Sequence, residues 1–110
     1  MRTIKFRAWD KVNNKMFTHK DLCLAPLTYD EVFKRKENYP IMQYTGLKDK
    51  NGVEVYEGDI VIGNYLNGKG VVVWNDKSCR FQIDQRATIS PCDEFEVIGN
   101  IYENLELLEN

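Results

Sequence analysis

The chain has 110 residues, of which 43% are hydrophobic and 29% charged, and its formal net charge is −2. That length fits one domain of ~100–150 residues, large enough to bury a core without metal or disulfide support. The apolar content argues against disorder. No stretch approaches the ~18 apolar residues of a membrane span, and the start, MRTIKFRAWD, lacks the apolar run of a secretory leader.

The small net charge hides an asymmetry. Residues 1–50 carry eleven Lys and Arg against six Asp and Glu, whereas residues 51–110 carry four against eleven. A basic face for nucleic acid or an acidic partner is one reading, and head-to-tail self-association is another. Intermixing of the two halves on one folded surface accounts for it more simply. Three cysteines, Cys23, Cys79 and Cys92, show no CxxC spacing, as in a reducing compartment. Cys79 alternates with Phe81 and Ile83 and is expected to be a small buried hydrophobe.

Taken in order, Ile4, Phe6 and Ala8 alternate with Lys5, Arg7 and Trp9, the period-two pattern of a half-buried strand. Residues 10–15 supply turn chemistry for a hairpin into Met16-Phe17-Thr18. Residues 19–40 are the least legible. Pro26 interrupts them, and Thr28-Tyr29-Asp30-Glu31 fits a capping box opening a short helix that ends before Asn38-Tyr39-Pro40. Lys34-Arg35-Lys36 on that helix could touch phosphates, but three adjacent basic residues in a polar stretch read more simply as a solvated helix end.

From Ile41 onward the pattern is β with tight turns. Ile41–Thr45 is a strand candidate, and Asn51-Gly52 can take the positive φ angles of a hairpin turn into Val53–Tyr56. Glu57-Gly58-Asp59 turns the chain again, with Gly58 giving the bend and Asp59 capping it. Ile60–Leu66, Gly70–Trp74 and Cys79–Ile83 follow as strands, separated by Asn67-Gly68 and by Asn75-Asp76-Lys77-Ser78. Ala87–Ile89 is a short strand candidate. Phe95, Val97, Gly99 and Ile101 then alternate with Glu94, Glu96, Ile98 and Asn100, and residues 103–110 form a helical turn or fray. About 60 residues carry this pattern, too few for a two-sheet immunoglobulin-type sandwich of ~100. The expected fold is mainly β: a small SH3-like barrel over 46–104, with an N-terminal β-hairpin and one short helix over 1–45, in one domain spanning 1–110.

Lys5-Phe6-Arg7-Ala8-Trp9-Asp10, Met42-Gln43-Tyr44-Thr45-Gly46-Leu47-Lys48-Asp49-Lys50-Asn51-Gly52, Tyr56-Glu57-Gly58-Asp59-Ile60-Val61 and Glu96-Val97-Ile98-Gly99-Asn100-Ile101-Tyr102-Glu103-Asn104 together resemble the YopX family of phage and prophage proteins. The resemblance covers roughly half of the chain. It implies a phage-encoded protein in the host bacterial cytoplasm with an SH3-type barrel. It implies no activity, so no catalytic residue is carried over.

The residues themselves offer little chemistry. His19 is the lone histidine, without an evident orienting partner for acid–base or Cys–His catalysis. His19 and Cys23 would share a helical face, but two ligands do not close a zinc site. Gly68-Lys69-Gly70 lacks the rest of a phosphate loop, and Glu57 with Asp59 offers too few oxygens for a cation. No enzyme activity, metal or cofactor is expected. What remains is surface. Lys5, Arg7, Trp9, Lys48 and Lys50 would bind nucleic acid if they shared a face. Tyr44, Tyr56 and Trp74 are aromatic contact candidates for stacked bases, a peptide or a second copy. Trp74, opposite in facing to Val71 and Val73, is expected on the outer face unless the N-terminal third covers it. The partner is thus expected to be an unknown protein or another copy of the chain, with nucleic acid as the alternative and no membrane.

Overall fold

The computed structural model describes residues 4–24, 34, 37–63, 68–84, 87–88 and 95–108. They are mainly strand: β1 (Phe6–Asp10), β2 (Lys15–Phe17), β3 (Ile41–Lys48), β4 (Glu54–Tyr56), β5 (Asp59–Gly63), β6 (Gly68–Asn75), β7 (Arg80–Ile83), β8 (Ala87–Thr88) and β9 (Phe95–Asn100). A helix, α1 (His19–Leu24), follows β2, and a 3-10 turn spans Leu105–Leu108. The chain divides into two compact units, Met1–Tyr44 and Thr45–Asn110, and β3 runs through the boundary.

In the first unit β1 lies between β2 and the start of β3, antiparallel to both, with Ala8 opposite Phe17 on one side and Ile41 on the other. Ala8 and Leu22 are buried, and Phe6, Phe17, Tyr39 and Ile41 pack around them. The alternation of Phe6 and Ala8 therefore marks the core face, as the period-two pattern requires. The hairpin turns on Asp10, whose carboxylate accepts the Val12 and Asn13 amides at 2.9 and 3.1 Å. Asn14 takes the left-handed φ of 53° that asparagine tolerates.

Thr18 does not extend β2. Its Oγ1 accepts the Asp21 amide at 3.2 Å, while the Asp21 carboxylate accepts the Thr18 amide at 3.0 Å. This reciprocal cap starts α1, and Thr18-x-x-Asp21 is a variant of the capping-box pattern expected at Thr28–Glu31. That second cap lies outside the described residues; within the expected helix only Lys34 is described, and it is helical.

In the second unit the end of β3 neighbours β4, and β5–β9 form a five-stranded antiparallel sheet in the order β8-β7-β6-β5-β9. Val55, Val61, Val72, Ile83 and Phe95 make its core, with Leu47, Phe81 and Val97 packed against them. Gly46 and Gly58 take φ of +90° and +84°, angles open to glycine at no steric cost. Gly58 also donates its amide to Val72 O at 2.8 Å and accepts that of Ile101 at 2.9 Å, so the bend ties three segments together.

Gly68, expected in a turn, lies in β6 opposite Gly63, and three further local expectations change. Cys79 is exposed rather than buried, at the end of a turn over Asp76–Cys79, with φ of 52°. A four-residue turn closed by a left-handed residue takes Cys79 out of the strand pattern that Phe81 and Ile83 continue. Second, β9 does not alternate throughout: Ile60 pairs with Gly99 but Val61 pairs with Val97, so Ile98 is the extra residue of a β-bulge. Third, Trp74 is opposite Phe81 in the same register that sets Val72 opposite Ile83. Trp74 therefore shares the core-facing side with Val72 instead of the outer face. It is exposed because it lies at the strand end, where the core runs out.

Candidate functional site

The polar residues buried in the two units hold turns. Asp49 is 7% exposed. One of its oxygens accepts the Asn51 and Val53 amides, both at 2.9 Å, and the other accepts the Val97 amide of β9 at 2.9 Å. Burial alone would push the Asp49 carboxyl up, but these amides and the nearby Lys50 charge together hold it below the usual carboxylate range. Asp10 is held low in the same way: burial is opposed by the Asn13 side chain, the Asn13 and Val12 amides and Lys15. Asp59 accepts the Tyr56 amide at 2.8 Å across the bend at Gly58. Asn100 accepts the amides of Tyr102 and Glu103 at 3.0 and 2.9 Å, and its own amide reaches Asn104 Oδ1 at 3.2 Å. Gly99 is required by this closure, since a Cβ there would lie 2.6 Å from Asn104 Oδ1.

The candidate contact residues divide between the units. In the first, Lys5 places its ammonium 5.2 Å from the centre of the Tyr44 ring, a cation–π distance. Arg7 is half-buried, and Trp9 and Tyr44 are buried. In the second, Lys48 and Lys50 are exposed, Tyr56 is buried, and Trp74 is 42% exposed. The rings of Trp9, Tyr44 and Tyr56 thus have their faces covered, and of the eight candidates Trp74 is the aromatic that solvent reaches.

Trp74 is held at the end of the β6–β7 hairpin. Its ring meets Phe81 edge-on, with centroids 4.9 Å apart and planes at 66°. This is a favoured aromatic geometry, and it anchors one side of the indole while the other stays open. Beside it lies a shallow cleft of about 350 Å³, lined by Val73, Trp74, Asn75, Asp76, Lys77 and Gln82. The Asn75 amide donates to Gln82 Oε1 at 3.0 Å, and its oxygen accepts the Lys77 and Ser78 amides at 3.0 and 3.1 Å. The cleft's amide side chains therefore brace its wall, and Lys77 and Asp76 bring one charge of each sign. Chemically this arrangement offers contact: an aromatic surface with a cation and a carboxylate at its edge. Asn75, Lys77 and Gln82 were not singled out in the sequence; their one signal was the turn that brings the ends of β6 and β7 together. Among the described residues no group of three or more His, Cys, Asp or Glu side chains is placed to hold a metal ion.

Asp10, Asp49, Asp59, Gly99 and Asn100, which hold or permit the turns described above, lie in the four segments that carried the resemblance. The profile of the YopX protein family matches residues 5–109. This chain belongs to the YopX family. Its fold is similar to that of protein EF1440 from Enterococcus faecalis, a crystal structure with 30% sequence identity and a TM-score of 0.69 that aligns over 99% of this chain and 100% of that one. No match was found among curated proteins. In this YopX chain the polar residues of the matching segments, Asp10, Asp49, Asp59 and Asn100, are engaged with backbone amides. Those segments hence describe how the chain turns and closes.

Proposed function

We propose that this YopX-family chain is a non-enzymatic protein-interaction module, encoded by a phage or prophage and acting in the host bacterial cytoplasm. The contact is made by the second unit, used as an SH3-like barrel, through the hairpin end that carries Trp74. The observation that supports this reading is the exposure of Trp74 beside a cleft: an indole left 42% open where its cross-strand partner Phe81 could have been covered with it. Large aromatics at a rim of this kind supply much contact area at little entropic cost, which is why they dominate protein interfaces. Among the described residues no helix is long and apolar enough to cross a membrane.

Lys77, in the same cleft, favours a second reading in which Trp74 stacks on a base of single-stranded nucleic acid and Lys77 meets a phosphate. One experiment separates the two. A photo-crosslinking residue replaces Asp76, which lines the cleft and leaves Trp74 and Lys77 in place, and the protein is irradiated in bacterial lysate. The interaction reading expects a protein adduct that wild-type chain competes away and Trp74→Ala does not. Nuclease-sensitive adducts that weaken steeply with salt support the second reading instead. Adducts indifferent to Trp74→Ala remove this hairpin from the function.

A further inference from the structure

Asn51-Gly52 is a chemically reactive pair held in a constrained turn. An Asn-Gly bond lets the backbone nitrogen after asparagine reach the side-chain carbonyl, because glycine has no Cβ to obstruct it. Here both residues are exposed, and a Cβ built at Gly52 would meet nothing within 4 Å, so neighbouring atoms give no steric protection. What restrains the pair is hydrogen bonding. The Gly52 amide donates to Asp49 O at 3.0 Å. The Asn51 amide donates to Asp49 Oδ1 at 2.9 Å, and the Asn51 side-chain nitrogen donates to Glu96 Oε1 at 3.2 Å. The attacking nitrogen, the Asn51 backbone amide and the leaving side-chain amide are each engaged, two of them by Asp49.

We infer that Asn51 is a deamidation site gated by the Asp49 turn, and that its conversion unlatches β9. When the turn opens, the Gly52 nitrogen loses its proton and attacks Asn51 Cγ. A C–N bond forms, the side-chain nitrogen leaves as ammonia, and a five-membered succinimide results. Water then opens that ring to aspartate or isoaspartate, with no oxidant or other co-reactant required. The product carries a carboxylate where an amide stood. It cannot donate to Glu96, which it now faces as a like charge, and Asp49 adds a third negative group nearby. The opened turn is therefore disfavoured from closing again, and the isoaspartyl product also adds a backbone atom to it. Because Asp49 and Glu96 connect this turn to β9 through Val97 and Asn51, the change reaches the edge of the five-stranded sheet. The step is one-way: each opening carries a chance of conversion, and conversion makes opening persistent.

The test follows the mass gain of about 1 Da at Asn51 by peptide mapping, with isoaspartate scored separately, during incubation at mildly alkaline pH. The folded full-length chain is compared with the isolated peptide spanning residues 48–54, an unstructured reference. The folded chain is expected to convert at least about tenfold more slowly, because conversion needs the open turn. Asp49→Ala should speed it toward the peptide rate. Should that variant not fold, urea below the unfolding midpoint should speed the wild-type chain, with matching loss of protection at the Gly52 amide. Equal rates in folded chain and peptide would overturn the gate, as would a folded-chain rate that neither Asp49→Ala nor urea changes. Separately, Asn51→Asp should speed exchange of the Val97 amide at least about threefold, and adding Glu96→Gln should restore part of the protection. Unchanged Val97 exchange in Asn51→Asp would overturn the unlatching of β9.

Discussion

Asp49→Ala is the sharpest single perturbation of this fold. One buried carboxylate accepts the amides of Asn51, Val53 and Val97. Bonds to a charged acceptor contribute about 1.5–3 kcal/mol each, and water can replace part of that at the two exposed turn amides. A loss of about 3–5 kcal/mol is expected, dominated by the Val97 bond and by the void left in the wall. Asp49→Asn separates the contributions. Its remaining oxygen can still serve Asn51 and Val53, but an NH2 group then faces the Val97 amide, at a cost of about 1–3 kcal/mol. Urea unfolding of the three proteins, with amide exchange at Val97 as a local probe, reads both effects. The pH dependence follows from sign. The Asp49 carboxyl lies below its ordinary value in the folded protein, so its contribution is complete above the unfolded-state pKa of about 4 and is lost as pH falls through the lower folded value. An Asp49→Ala protein within ~1 kcal/mol of wild type at pH 7 would refute the reasoning, as would an unchanged acid limb.

Other substitutions probe the remaining turns and the core. Gly58→Val forces a β-branched residue to φ of +84° and should cost about 1–3 kcal/mol by thermal or urea denaturation. Phe81→Ala removes a half-buried ring that packs on the core and braces Trp74; about 2–3 kcal/mol is expected, less than for full burial, together with a change in Trp74 fluorescence. Gly99→Ala must displace the Asn104 side chain, so the Asn100 amide that it accepts should lose exchange protection even where global stability falls by only ~1 kcal/mol.

The β character of the fold was legible because strands carry period-two patterning and the turns are marked by Asn, Gly and Asp. Gly58 and Asp59 took the roles their chemistry suggested. Legibility failed where periodicity and a local conformation disagreed. Cys79 fits the alternation of Phe81 and Ile83, yet a left-handed turn residue there costs only its own φ, and the pattern cannot register it. Ile98 falls in the polar phase of its strand with Glu96 and Asn100, and an apolar residue at one such position does not reveal the bulge that makes it an unpaired insertion. The facing of Trp74 was misread because Val71, Val72, Val73 and Trp74 are all apolar, and a continuous apolar run contains no phase. The register with Phe81 and Ile83 supplied that phase. Of the eight candidate contact residues, Trp9, Tyr44 and Tyr56 could not be told from surface aromatics, because burial of a strand residue depends on what covers its face of the sheet. Asp49 was read only as part of a turn; that its second oxygen also reaches β9, forty-eight positions along the chain, leaves no local trace in composition.

The pairing of β5 with β9 has a bearing on synthesis. Asp59 finds its partner in Asn100, so one flank of β5 must wait until late in translation for the segment that satisfies it. During that interval the nascent chain displays an incomplete ladder of amides and carbonyls beside Ile60 and Val61, a template that another nascent chain could occupy. Slowing the ribosome between these strands would lengthen that exposure, and the yield of correctly assembled protein would then depend on elongation rate as well as on final stability.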